Sequence, residues 1–161
     1  MRALTLKPHW AHAVAWLGKR IENRSRPIPE KLVGQRVAIH AGAALPRGWI
    51  GELHKASPEP LQYESIFGMA TGRVRRKGDV HEGRRPACRA IVATAVLGWC
   101  RESAQLHAPP WWSDADAAWW WRLDDVQRLT TPVPVQRGQL GLWTLDDEIA
   151  AAVEAAAWEA A

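Results

Sequence analysis

Residues 4–24 read LTLKPHWAHAVAWLGKRIENR, and this stretch contains the first evidence for the fold. Residues 2–6 alternate in the manner of a short strand, and Pro8 stands where a helix can begin. Apolar residues then recur at i, i+4 and i+7 up to Gly18, a natural C-terminal cap. The stretch predicts a strand, a short amphipathic helix and a charged segment that follows it.

Further elements are predicted downstream of this stretch. Strand-like patterns occupy residues 35–41, 89–100, 117–129 and 138–143. Helical spacing predicts a second helix over 63–72, and a capping box at Thr144 and Asp147 predicts a closing helix over 145–161. The order β-α-β-α-β-β-β-α has no regular βαβ alternation, so we expect one α+β domain over 1–161. Its centre would be a small, mostly antiparallel β-barrel flanked by short helices.

The charge of the chain is strongly divided along its length. The 161 residues are 47% hydrophobic and 24% charged, which is a globular composition. Residues 1–101 carry 18 Lys and Arg against 7 Asp and Glu, or +11, whereas 102–161 carry 3 against 10, or −7. This asymmetry indicates an anionic partner for the first part of the chain.

The two cysteines and the apolar runs bear on the cellular location of the protein. Cys88 and Cys100 bracket one predicted strand, in which about 3.3 Å per residue places them far beyond disulfide reach. The N-terminus lacks the apolar run of a signal peptide, and the apolar run at 90–100 is too short to span a bilayer. We therefore expect free thiols, no membrane association and a cytoplasmic location.

Three segments together resemble the ASCH (activating signal cointegrator homology) domain of the PUA-like superfamily. They are residues 4–11 with 18–24, residues 37–41, and residues 90–95 with 121–126 and 138–143. Gly18-Lys19-Arg20-Ile21-Glu22-Asn23-Arg24 is similar to the G-x-K-x-x-E-x-R signature of the family, except that the signature expects its glycine one residue earlier. Because Gly18 can still end the helix with a positive φ, we expect only a changed turn. The resemblance implies a PUA-like pseudo-barrel with a cleft beside the first helix, and a protein that binds RNA or acts on RNA and modified nucleosides.

The signature segment supplies the candidate ligand-binding residues. Lys19 and Arg24 are suited to hold phosphate or a carbonyl oxygen, and Glu22 can orient them or accept from an exocyclic amine. From the local sequence alone, an ordinary surface ion pair is the favoured interpretation of these charges, and the resemblance reverses that preference. The predicted site consists of Trp10, which would stack on a base, with Lys19, Glu22, Asn23, Arg24 and His40.

Catalysis on the same site is an open alternative, with Lys19 and Glu22 as its catalytic residues. Some ASCH proteins are amidohydrolases of N4-acylcytidine that resemble a Lys-x-x-Thr arrangement, but Glu22 stands where that threonine would be. A carboxylate there could activate water rather than attack the amide itself. Metal-independent ribonuclease chemistry would need His40 near Lys19 and Arg24, and His40 is also interpretable as a strand histidine bonded to backbone.

Other residues are candidates for contact with nucleic acid. Gly-rich residues 73–85 predict an exposed basic loop that could follow a phosphate backbone, or else a solvated linker. Its cations are Arg73, Arg75, Arg76, Lys77, Arg84 and Arg85. Trp111 and Trp112 follow two prolines and are either stacking platforms or packing residues. Trp119 and Trp121 should point to one face of their strand and Trp120 to the other. The remaining tryptophans in regular elements are interpreted as packing residues: Trp16, Trp99, Trp143 and Trp158.

Several chemistries lack support in the sequence. His9 and His12 stand at i, i+3 without a third ligand at a suitable spacing, so we expect no metal. No phosphate loop, G-x-S-x-G or dinucleotide fingerprint is present, and no cofactor is predicted. A non-catalytic interaction module, whose acidic C-terminal helix docks a basic partner, is a third hypothesis. The oligomeric state is not predictable from these patterns.

Overall fold

A computed structural model describes residues 1–56, 85–103 and 118–161 of the chain. Its strands are β1 (Arg2–Leu6), β2 (Ile21–Arg24), β3 (Arg36–Ala41), β4 (Ala90–Glu102), β5 (Trp119–Pro134), β6 (Leu142–Thr144) and β7 (Trp158–Ala160). Its α-helices are α1 (Pro8–Trp16), α2 (Trp49–Ala56) and α3 (Asp147–Ala155), with a 3-10 turn at Glu30–Leu32.

The strands form one curled mixed sheet, a half-barrel with short helices packed on it. The strand order is β2-β5-β4-β3-β1-β6, and β7 pairs with β5. Among the described strands, β1 and β3 are the one parallel pair, and the chain between them passes through α1 and β2. The other described pairings are antiparallel. The predicted α+β, mostly antiparallel, barrel-like architecture is confirmed.

The two faces of the sheet bury separate apolar clusters. On β3, Ile39 and Ala41 pack in the cluster that includes residues of α1. Ala38 packs instead with Trp143 and Val153, in the cluster covered by α3. Alternate residues of a strand point to opposite faces, so the side of each residue near the end of β3 follows from its position.

The C-terminal prediction needs correction. The last strand is not 138–143: it is shortened to β6, because Gly141 has a φ of 77° and turns the chain, and β7 follows later. The predicted helix over 145–161 is also wrong, since α3 covers only Asp147–Ala155. Asp146, not Thr144, caps this helix, because its carboxylate accepts from the Ile149 N–H at 2.8 Å.

The helix ends early because the residues after it gain more by joining the sheet. Trp158 pairs with Leu129 of β5 and packs against the cluster below α3. Strand pairing and burial of an indole therefore override the high helix propensity of the alanine-rich tail. The apolar face of α3 is packed through Ala150 and Val153, which leaves its acidic residues outside.

Besides β7, the elements β2 and α2 were not predicted from the sequence. β2 contains mostly polar residues, yet it completes one edge of the sheet by pairing with the start of β5. α2 buries Leu53 against Ala13 and Leu17 of the α1 segment. The predicted helix over 63–72 lies outside the described residues.

The tryptophans follow their predicted faces with one exception. Trp121 lies in the cluster under α1, whereas Trp120 packs with Ile21 on the other face of β5. Trp16, Trp143 and Trp158 pack as predicted. The prediction for Trp99 is wrong: this residue is 38% exposed on β4, with the Arg101 guanidinium 5.3 Å from its ring centroid.

No helix in the described parts of the chain has the length and apolar character needed to cross a bilayer. Both cysteines are free thiols, Cys88 exposed and Cys100 half-buried, as expected.

Candidate functional site

The end of α1 places the charged segment against the sheet. Gly18 has a φ of 73°, in the left-handed region that glycine adopts without strain, and this is the predicted helix end. The Lys19 N–H then donates back to the Ala13 carbonyl at 3.0 Å. The chain turns directly into β2, which pairs with the first residues of β5.

Lys19 is buried although it carries an ammonium group. Only 2% of the residue is exposed, and its Nζ donates to Glu22 Oε2 at 3.0 Å and to the Ile21 carbonyl. Burial is the main reason why the pKa of Lys19 is lowered, and Arg24 lowers it further, whereas Glu22 opposes the shift. Lys19 is thus a desolvated cation held by one carboxylate.

Glu22 lies between two cations. Its second oxygen, Oε1, is 3.9 Å from Arg24 Nη1, because residues two apart on β2 point to the same face. Arg24 also lies over Trp121, with its Cζ 5.3 Å from a ring centroid. The carboxylate can therefore orient both cations or accept a hydrogen bond from a ligand.

Trp10 completes this group of residues. Lys19 Nζ is 5.9 Å from the Trp10 ring centroid, within the range of a cation–π contact. The indole is partly buried and packs along the edge of several apolar clusters. The structure thus brings Trp10, Lys19, Glu22 and Arg24 together, and we call these four residues the Lys19 cluster.

Asn23 and Arg20 are placed differently from the Lys19 cluster. Asn23 pairs with Trp120 and alternates with Glu22, so it points to the other face of β2. Arg20 Nη1 donates to the carbonyls of Val14 at 3.0 Å and of Lys19 at 3.1 Å. Arg20 therefore stabilises the C-terminal end of α1, a role indicated by a cation just after a helix-ending glycine.

His40 does not join the Lys19 cluster. It lies on the face of β3 opposite α1, where its ring meets the Trp143 indole edge-on at 5.8 Å between centroids. Its Nε2 is 3.3 Å from the Val135 carbonyl, and its Nδ1 is 3.2 Å from Thr5 Oγ1. Burial lowers the pKa of His40, and the bond to Val135 opposes the shift. The alternative interpretation, a strand histidine bonded to backbone, describes these contacts.

His9 is a buried residue whose partner the sequence did not reveal. Its Nε2 is 2.9 Å from Glu52 Oε2 of α2, and Lys7 Nζ approaches the same carboxylate at 3.7 Å. Burial lowers the pKa of His9, while Glu52 opposes that shift. Glu52 is 43 residues away, so no local spacing signals the contact. Within the described ranges, no three His, Cys, Asp or Glu residues gather as metal ligands do.

Most of the predicted nucleic-acid contacts lie outside the described residues: Arg73, Arg75, Arg76, Lys77, Arg84, Trp111 and Trp112. Arg85 is described and is exposed.

Solved structures of an ASCH protein resemble this chain. The ASCH protein of Zymomonas mobilis superposes with a TM-score of 0.55 at 15% identity, over 97% of this chain and 95% of that one. Two single-substitution variants of that protein give TM-scores of 0.54 at 14% and 16% identity, again over 97% of this chain. They are covered over 98% and 96% of their own lengths. No known family profile and no curated protein matches the sequence. The chain therefore has the ASCH-type, PUA-like fold, and the resemblance predicted from the sequence is confirmed at the level of the fold.

Proposed function

We propose that this protein binds RNA or another nucleobase-containing ligand at the Lys19 cluster. Lys19 and Arg24 hold a phosphate or carbonyl oxygen, Glu22 orients them or accepts from an exocyclic amine, and Trp10 stacks on a base. The ASCH-type fold supports an RNA-binding type of domain, and the residues of the cluster specify the chemistry.

The observation that carries this proposal is the buried Lys19–Glu22 pair. Two charges removed from water recover their desolvation cost only with excellent geometry, and apolar residues of similar volume are often as stabilising. A buried pair is therefore weak evidence for a structural role, whereas perturbed ionisable groups gather at functional sites. The same carboxylate contacts Arg24, which is 19% exposed in its side chain and so lies nearer the solvent.

The test is the binding of fluorescently labelled single-stranded RNA, followed by anisotropy over a series of salt concentrations. We expect affinity to fall steeply with salt, and each lost phosphate contact to reduce the log–log slope by about 0.7. Lys19→Ala with Arg24→Ala should weaken binding, as should Arg24→Gln alone. Arg128→Gln is the matched control, because Arg128 pairs with Glu159 at β7, away from the cluster.

Circular dichroism must show that each variant is folded before its affinity is compared. Where the alanine pair fails to fold, Lys19→Met with Glu22→Gln keeps the volume and removes both buried charges. An affinity that is independent of salt, or equal in the folded cluster variants and in Arg128→Gln, overturns the proposal.

A hydrolase at the same cluster is the second candidate, favoured by the lowered pKa of Lys19 beside a carboxylate. A desolvated lysine can transfer a proton near neutral pH, and Glu22 can activate water. The test is incubation with total RNA and with N4-acylated cytidine, followed by mass spectrometry of the products. Product that appears with the wild type and is lost in Glu22→Gln supports catalysis, and product that persists in Glu22→Gln and Lys19→Met indicates a contaminant.

A further inference from the structure

We propose that a pocket on the other face of the sheet, behind His40, binds the phosphate group of a small ligand or of a nucleic-acid end. The pocket has a volume of about 610 Å³, within the range of small-molecule sites. Thr5, His40, Arg89, Gln136, Arg137 and Gly138 line it. This site is separate from the Lys19 cluster and does not depend on the function proposed there.

The floor of the pocket is a chain of hydrogen bonds. The Trp143 indole N–H donates to Thr5 Oγ1 at 2.9 Å, and an indole can only donate. At the other end, the Val135 carbonyl can only accept, so His40 Nε2 carries a proton and donates to it at 3.3 Å. In the neutral imidazole, Nδ1 accepts from the Thr5 hydroxyl at 3.2 Å. Both ring nitrogens are hydrogen-bonded, which fixes the orientation of the imidazole.

Gly138 shows how closely the backbone approaches this floor. A Cβ on Gly138 would lie 2.3 Å from His40 Nδ1 and 2.6 Å from Thr5 Oγ1. A Cβ atom does not come this close to a nonbonded nitrogen or oxygen atom. A larger residue at this position would therefore displace the imidazole or the loop. The loop after β5 thus packs directly against Thr5 and His40. This packing places Gln136 and Arg137 beside the pocket.

Arg89 is held at the pocket by strained backbone. Its φ of 53° lies in the left-handed region, which is uncommon for residues other than glycine. Its N–H donates to the Gly42 carbonyl at 3.0 Å, and its carbonyl accepts from the Val135 N–H at 2.7 Å. Strain of this kind persists only where the surroundings fix it, and it is concentrated at ligand sites.

The charge of the pocket is positive and unopposed within the described residues. Arg89 and Arg137 are exposed, and neither forms an ion pair with a described carboxylate. The lining contains no Asp or Glu. Two guanidinium groups and the Gln136 amide supply donors for several oxygens at once, which matches a terminal phosphate better than a single carboxylate.

The Trp143 indole N–H gives a local signal for the test, because it bonds to the pocket floor. Its resonance in a 15N-correlated NMR spectrum is assigned by its loss in Trp143→Phe. The probes are inorganic phosphate, a nucleoside 5′-monophosphate, and a short RNA with and without a 5′-phosphate. Acetate and citrate are the carboxylate comparison.

We expect a saturable shift of this resonance with at least one phosphate probe. Arg89→Gln and Arg137→Gln should each weaken that binding by about tenfold or more, as expected for a lost charge-assisted hydrogen bond. Arg36→Gln is the control, since Arg36 pairs with Asp125 elsewhere on the sheet. Lys19→Met with Glu22→Gln should leave phosphate binding unchanged, so failure at one site is distinguishable from failure at the other.

The probe that binds identifies the source of the phosphate. Preference for the monophosphate indicates a free nucleotide, and preference for 5′-phosphorylated RNA over the unphosphorylated strand indicates an RNA end. No saturable shift with any phosphate probe overturns the proposal. So does binding that is equally tight for carboxylates, or that survives loss of both arginines.

Discussion

The two polar sites of this molecule lie on opposite faces of one sheet and differ in how they bury polar groups. At the Lys19 cluster, an ammonium and a carboxylate are buried as charges 3.0 Å apart. At the other face, the buried His40 and the partly buried Thr5 are neutral groups within a chain of hydrogen bonds. Each charge at the first site depends on its partner, whereas the second site depends on shape and on the direction of its bonds.

The two sites should therefore be destabilised by different kinds of substitution. Removing one member of a charged pair leaves the other desolvated and unopposed, but removing both members costs little. A neutral chain loses only about 1 kcal/mol for an ordinary hydrogen bond. It is more sensitive to a side chain that intrudes on its geometry.

The largest effect is expected from breaking the buried pair at the Lys19 cluster. Glu22→Gln alone should lower the free energy of unfolding by about 3–5 kcal/mol, because Lys19 is left buried without its carboxylate. Lys19→Met alone should cost less, because Arg24 remains beside Glu22. The double variant should return to within about 1–2 kcal/mol of the wild type. Urea unfolding of the four proteins measures the coupling. If the two single losses simply add in the double variant, the pair is not the unit described here.

A smaller effect is expected from crowding the other site. Gly138→Ala should cost about 1–3 kcal/mol, because the new methyl group overlaps His40 and Thr5. Gly51→Ala is the matched control, since a Cβ there meets nothing within 4 Å and Gly51 lies in α2. Alanine should stabilise that helix by up to about 1 kcal/mol. Equal unfolding midpoints for the two variants would contradict the close approach at Gly138.

The smallest effect is the pH dependence that His40 adds to stability. Burial lowers the pKa of His40 below 6.5 in the folded protein, although the hydrogen bond to Val135 opposes this shift. The unfolded chain therefore takes up this proton at a higher pH than the folded protein does. Stability is complete above pH 6.5 and falls as the pH drops toward the folded pKa, by at most about 1.4 kcal/mol per pH unit.

His40→Gln separates this contribution from that of His9, whose pKa is also lowered. Unfolding free energies at about pH 7.5 and about pH 5.5 should differ less in His40→Gln than in the wild type. An unchanged difference would show that His40 is protonated as readily in the folded protein as in the unfolded chain.

The two sites also differ in how much of them could be predicted from the sequence. A segment of six residues, 19–24, contains Lys19, Glu22 and Arg24. A local motif therefore identified these three residues, and the resemblance to the ASCH domain gave them a role. The pocket behind His40 is assembled from Thr5, His40, Arg89 and residues 136–138, which only the sheet brings together. Parallel pairing of β1 with β3 places Thr5 opposite His40, and no local pattern indicates that register.

The same limit explains which elements of the fold were predicted. Strands with strong apolar patterns, such as β3 and β4, were located to within one or two residues. β2 was missed because its polar residues gain their strand structure from pairing with β5. α2 was missed because Leu53 and Glu52 anchor it to residues of α1 that are distant in the sequence. The closing helix was predicted too long because the docking of Trp158 on β5 is a tertiary contact.

The placement of β1 between β3 and β6 has a consequence for synthesis of the chain. β1 is made long before one of its two partner strands, which comes from Leu142–Thr144. β2 likewise waits for Trp119–Arg122 of β5 before it has a partner. Such distant pairings make folding slow, since the loops must close before the contacts form. On the ribosome, Lys19 and Glu22 therefore stay in water as ordinary charges until most of the protein has emerged.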